Sequence, residues 1–204
     1  MNGVLAALMY AAQSLGRAGL DFRPLLPPLF EPLLLQQLQR RCDAAVAAFG
    51  AALEAYSWVR LPELPQSAHS GGGSASTLAA PFAVMQFPPL SVLLNGLLGA
   101  LNELRQCAPL ALAAGAREAL RGALAVAAAV LVARGGCLPP ATLGRDFPDM
   151  CELLAAEVFA HVGRCYGLVF EAAAAEGAGE GGLGLGESER LLRAVPQDSA
   201  ASIS

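Results

Sequence analysis

The sequence predicts an all-α protein, an array of about five helices. Three observations lead there. Apolar residues recur at steps of three and four through most of the chain, the period of a helix with one buried face. No competing stretch alternates apolar and polar residues as a half-buried strand does. Proline- and glycine-rich breaks separate the periodic segments, and such breaks end helices.

The first helix is expected over residues 2 to 17. Asn2 can cap it, and Val4, Leu5, Leu8, Ala12 and Leu15 form its apolar stripe. Gly16 and Gly19 end it, and a proline-rich elbow runs from Phe22 to Pro28. Asp21 and Arg23 there read as a local salt bridge or turn. A long helix is expected from Leu29 to about Val59, with Pro32 in its first turn, where the missing N–H is harmless. Leu34, Leu35, Leu38, Cys42, Ala45, Val46, Phe49, Leu53 and Tyr56 make its buried stripe. Arg40, Arg41, Asp43 and Glu54 fall between them as a solvated face, and Trp58 reads as a packing anchor. Residues 1–60 thus form a hairpin-like helical segment. Residues 61–84 are a linker: Pro62, Pro65, Ser67 and Gly71-Gly72-Gly73 have little to bury. The glycine run is no phosphate loop, because it lacks the lysine-containing pattern and the chain has no lysine.

The stretch from Met85 to Pro109 carries the strongest helical signal. Pro88 and Pro89 can occupy a first turn. Leu90, Leu94, Leu97, Leu101 and Leu104 then follow at steps of four, three, four and three, within an arc of roughly 60° that Leu93 widens. Opposite lie Ser91, Asn95, Gly99, Asn102, Glu103 and Gln106. Pro109 ends the helix or redirects it. Asn95 and Asn102 are seven apart and project in nearly the same direction, with Arg105 on the flank. Gly96 and Gly99 each cost about 1 kcal/mol relative to alanine in a helix. The row reads in one of two ways. It is a solvated polar face with tolerated glycines, or a close-packed seam where asparagines bond across to another backbone. Spacing favours the solvated face, since buried amides need partners the sequence does not show. Asn95, Asn102 and Arg105 are nevertheless the candidate protein-interface residues.

Another helix is expected from Pro109 to about Arg134, with Leu110, Ala113, Leu120, Leu124, Ala127, Ala128 and Leu131 inward and Gly135-Gly136 stopping it. Residues 137 to 145 read as a loop. Asp146 is expected to cap a fifth helix, with Pro148 in its first turn and Met150, Leu153, Leu154, Val158, Cys165, Leu168 and Val169 on its apolar face. Residues 85–175 thus make a helical bundle segment. His161 lies at the edge of that face and reads as a boundary histidine, because no Ser, Cys or Asp constellation adjoins it. Glu152 and Glu157 read as a solvated pair. Residues 176–204 are expected to be a disordered tail, with a short helix over Glu187 to Ala194.

Composition removes several classes. A net charge of −4 and a pI near 5.2 argue against a nucleic-acid surface and against strong binding to anionic lipid. The hydrophobic fraction of 55% and mean hydropathy of +0.49 owe much to alanine. The longest candidate span, 122–133, bounded by Arg121 and Arg134, is too short for a bilayer, which needs about 20 apolar residues, so no transmembrane helix is expected. No basic residue precedes the apolar run Val4–Ala12, which argues against a signal peptide. The five cysteines form no C-x-x-C pair and the two histidines are far apart. No metal site, cofactor or catalytic constellation is expected, and the cysteines read as reduced core residues.

Two segments carry a family resemblance. The run Phe87-Pro88-Pro89-Leu90, then Asn95, then Leu101-Asn102-Glu103-Leu104-Arg105, then Cys107-Ala108-Pro109, resembles the signature segment of the eighth subunit of the conserved oligomeric Golgi complex. Upstream, Met9-Tyr10 and Ser14 to Arg23 resemble a second segment of that family, in the same order and at a similar separation. The resemblance covers roughly residues 4 to 175 and leaves out the tail after about 176. It implies an elongated antiparallel helical array similar to the rods of vesicle-tethering complexes. It implies a non-catalytic subunit of a multisubunit Golgi tether, peripheral on the cytosolic face of the Golgi membrane and acting in retrograde intra-Golgi transport. The implied partners are the other subunits, with no nucleic acid and no small-molecule substrate. Family members carry a partly coiled-coil N-terminal portion before the segment that Met1 opens, so the chain is expected to be a C-terminal fragment or a truncated form. The alternative reading is an amphipathic helical protein acting at a membrane surface.

Overall fold

The computed structural model describes residues 2–17, 19–20, 22, 25–62, 81–105, 110–170 and 183–194, and among them every regular element is helical. The helices are α1 (Asn2–Gly16), α2 (Leu26–Ala55), α3 (Pro88–Arg105), α4 (Ala113–Gly136), α5 (Pro140–Leu143), α6 (Asp146–Leu153), α7 (Phe159–Val169) and α8 (Gly186–Arg193). Short 3₁₀ turns, Phe82–Gln86 and Leu110–Leu112, lead into α3 and α4. The expected linker core, 63–80, lies outside the described residues, as do the ends of the expected tail, 176–182 and 195–204, and the elbow residues Asp21 and Arg23.

The 30-residue α2, about 45 Å long, packs along both α3 and α4. Leu34, Leu38, Cys42, Ala45, Phe49 and Leu53 of α2 meet Leu90, Leu93, Leu94, Leu97, Leu101 and Leu104 of α3 in one apolar core. The leucine face predicted for α3 is the buried face. On α4, Ala116, Ala119, Ala123, Ala127 and Ala128 are buried beside Leu120, Leu124 and Leu131, so alanine forms much of the inner surface there. Each fully buried leucine contributes on the order of 1.5–3 kcal/mol gross.

The two glycines of α3 have different jobs. A Cβ on Gly96 would stand 2.6 Å from Cβ of Ala45 and 3.2 Å from its Cα, so α2 and α3 touch backbone to backbone there. A Cβ on Gly99 would meet nothing within 4 Å. Close packing and solvation therefore coexist on one helix, three residues apart.

Several elements differ from expectation. α2 begins at Leu26, so Pro27 and Pro28 fill its first turn and Pro32 lies inside the helix. Pro28 and Pro32 are exposed, so water can satisfy the carbonyl that Pro32 leaves without a donor. Gly135 and Gly136 do not stop α4. They belong to it, and Gly135 is the socket for the Phe147 ring, which a Cβ would strike. The expected loop after α4 contains the single turn α5. Asp146 does not cap α6; Arg145 holds that position. The Asp146 carboxylate instead accepts the Arg60 backbone N–H at 3.0 Å, with Arg60 Nε 3.3 Å from its other oxygen. The Arg60 guanidinium also bonds Asp149 and lies over the Phe87 ring, 5.2 Å from its centre. Trp58, at φ +56°, is buried edge-on to Phe147, with ring centres 5.7 Å apart. The segment after α2 is thereby fastened to α6 and to the start of α3.

A π-helical turn, Leu154–Val158, separates α6 from α7. Its extra residue advances the inward face, so Phe159, Val162 and Tyr166 are buried while Leu168, expected inside, is exposed. The short helix expected near the C-terminus is present as α8. It packs on α4 and buries Leu192, with Leu183 and Leu185 buried just before it. The Leu110–Gly136 segment is long and apolar enough to cross a membrane by length and composition, more so than residues 122–133 suggest. In this fold its alanine and leucine face lies in the core shared with α2.

Gly96→Ala is expected to lose about 1–3 kcal/mol of stability through overpacking. Gly99→Ala is expected to gain up to about 1 kcal/mol from helix propensity alone. Urea unfolding of both variants checks the pair, and equal effects would contradict the α2–α3 contact.

Candidate interaction surface

Asn95, Asn102 and Arg105 are all exposed on the outer side of α3. The leucines that turn inward toward α2 and α7 fix this orientation. Gly99 lies between the two asparagines with open space above it, and Val92 continues the row toward the helix start. None of the three polar side chains bonds to another described residue. Beside the row, Glu103 pairs with Arg41 of α2. Both partners are well exposed, so this pair adds little stability. The structure thus brings the three sequence-predicted residues onto one surface. Two free amides and one guanidinium there can donate and accept hydrogen bonds, and the gap over Gly99 admits the backbone of another helix.

The buried polar chemistry lies on α7. His161, expected at a boundary, is 1% exposed. Cys165, four residues on and so one helical turn away, places Sγ 3.6 Å from His161 Nε2. Sequence reading missed this pair by scanning for adjacent residues rather than for i, i+4 neighbours. Arg164 reaches His161 Nδ1 at 3.4 Å. The guanidinium can only donate, so Nδ1 accepts, and Nε2–H points at the sulfur. Burial, with Arg164 close by, holds the imidazole below its usual pKa, although Glu157 opposes the shift. Burial raises the Cys165 thiol. An activated cysteine needs the opposite shift. Burial also pushes the thiols of Cys42 and Cys151 up to about 12. Cys137 is exposed, and Cys107 lies outside the described residues. Among the described residues no three metal-capable side chains come together.

The first helix holds a surface that sequence reading did not identify. Its predicted stripe was expected to be covered. Ala12 is buried and Met9 packs on the core, but Val4, Leu8 and Leu15 are 57%, 40% and 46% exposed.

The family model of the Dor1-like family matches residues 1–47. The chain is 33% identical to "Conserved oligomeric Golgi complex subunit 8" of Drosophila melanogaster over 171 residues, 82% of this chain and 30% of that protein. It is 27% identical to the Homo sapiens protein of the same name and 29% to that of Bos taurus, over 83% of this chain in each case. The chain therefore spans less than a third of the length of these relatives. No solved structure matches it.

Because His161 is neutral and buried, the unfolded chain takes up a proton on acidification before the folded chain does. The folded pKa is lowered, so the stability this residue contributes is complete above about pH 6.5 and falls as pH drops below it. Tm measured from pH 7.5 to 5 is expected to decline less steeply for His161→Gln than for the parent; parallel curves would contradict the assignment.

Proposed function

Since the chain belongs to the family of subunit 8 of the conserved oligomeric Golgi complex, we propose that it works as part of a non-catalytic subunit of that tether. The work is mechanical. Helical surfaces hold sibling subunits together, and the assembled complex captures vesicles in retrograde intra-Golgi transport. Attachment to the Golgi membrane is peripheral, on the cytosolic face, and runs through the complex. The observation that carries this reading is the extent of the match: 82% of the chain aligns with the fly relative, and every regular element among the described residues is helical.

The polar row of α3 supplies the contact in this proposal. Asn95 and Asn102 offer amides at one-heptad spacing, Gly99 allows close approach, and Arg105 adds a charge at the end. Such a row is soluble when free and can bond when covered, as a reversible interface requires.

A pull-down of this chain against the other subunits of the tether tests both statements. The parent is expected to retain at least one sibling subunit. The Asn95→Ala/Asn102→Ala/Arg105→Ala variant, shown folded by circular dichroism, is expected to bind at least ten-fold more weakly. Equal binding by both would remove the row from the interface, and no binding by either would overturn the tether reading for this chain.

A further inference from the structure

α1 has two apolar sides. Met9 and Ala12 face the core, whereas Val4, Leu8, Ala11 and Leu15 are exposed. These four follow at steps of four, three and four, the spacing of a seam that packs against a second helix. Turned at 100° per residue, they fall within an arc of about 60°, about 100° away from the Met9–Ala12 side. No acidic or basic residue occurs between Asn2 and Gly16. The exposed apolar side chains continue into the start of α2, at Leu25, Leu29 and Leu33. A solvated helix face is charged or polar; on α1 the exposed polar residues Gln13 and Ser14 lie off this seam, whose four members are all apolar.

We propose that the Val4–Leu8–Ala11–Leu15 seam is the docking face for a helix from the part of the family's sequence that the longer relatives carry and this chain does not span. The proposal rests on the family reading. Two facts choose the occupant. The family model matches residues 1–47, the stretch where the uncovered leucines gather. The relatives are more than three times as long as the part this chain aligns with. The absence of charge sets the occupant's chemistry. Its matching seam is apolar, because an acid or base there would be buried without a partner. A membrane is disfavoured, since α1 has no basic side chains to meet lipid headgroups.

The test compares this chain alone with a full-length chimaera in which it replaces the matching segment of the fly relative. Cys107 and Cys137 are changed to serine, a Leu15→Cys probe is introduced, and modification by N-ethylmaleimide is followed by mass spectrometry. Val126→Cys, at an exposed position of α4, is the control. The seam probe is expected to react at least ten-fold more slowly in the chimaera while the control is unchanged. Equal seam rates would overturn the proposal. Two measurements on the chain alone keep it falsifiable should the chimaera misfold. Sedimentation is expected to show a monomer; a dimer that protects Leu15→Cys would make a second copy the occupant and overturn it. Leu8→Glu/Leu15→Glu is expected to leave Tm unchanged; a large drop would mean the seam is already buried, which also overturns it. Binding of sibling subunits is read in the separate pull-down, so either idea can fail without the other.

Discussion

The contact of Gly96 with Ala45 sets the geometry of the described fold. With no side chain on Gly96, α2 and α3 come close enough for Leu93, Leu94 and Leu97 to sink into the core beside Ala45 and Phe49. Once that side of α3 faces inward, the 3.6-residue period turns Asn95, Gly99 and Asn102 outward. The buried seam and the exposed row are therefore one constraint seen from two sides. α4 extends it: its buried alanines let a third helix lie against α2, and Gly135 leaves room for the Phe147 ring that draws in α6.

Polar and aromatic contacts fasten the end of α2 to α6. Arg60 joins the end of α2 to Asp146, Asp149 and Phe87, and Trp58 takes a left-handed backbone conformation to bury its ring there. A non-glycine residue in that region costs on the order of 1–3 kcal/mol unless its surroundings enforce it. The edge-on packing against Phe147 and the Arg60 bonds provide that enforcement. Past the π turn the helix continues with a rotated face, and His161 is buried there, where burial favours the neutral imidazole.

Helix existence was legible because leucine period, proline starts and glycine breaks agreed. The buried face of α3 could be read residue by residue. What escaped was everything that depends on a second element. Gly135 looks like a stop signal unless Phe147 is known to sit on it. Asp146 looks like a cap unless Arg60, 86 residues earlier, is known to claim its carboxylate. Leu168 looks inward unless the π turn is known to shift the phase. For the candidate surface, the sequence placed Asn95, Asn102 and Arg105 on one face and favoured solvation, and exposure agrees. It could not separate Gly96 from Gly99, since both cost the same in an isolated helix and only the position of Ala45 distinguishes them.

The two uncovered surfaces differ in chemistry, and the difference bears on how each is used. The α3 row carries amides that water satisfies when the surface is free, so leaving it uncovered costs little and a partner there can exchange. The α1 seam carries leucine and valine that water does not satisfy, so each side chain there forfeits the transfer free energy of its exposed part. Interfaces that form once and persist resemble a divided core, whereas those that open and close are no more apolar than ordinary surface. By that measure the α1 seam has the chemistry of a permanent contact and the α3 row that of an exchangeable one.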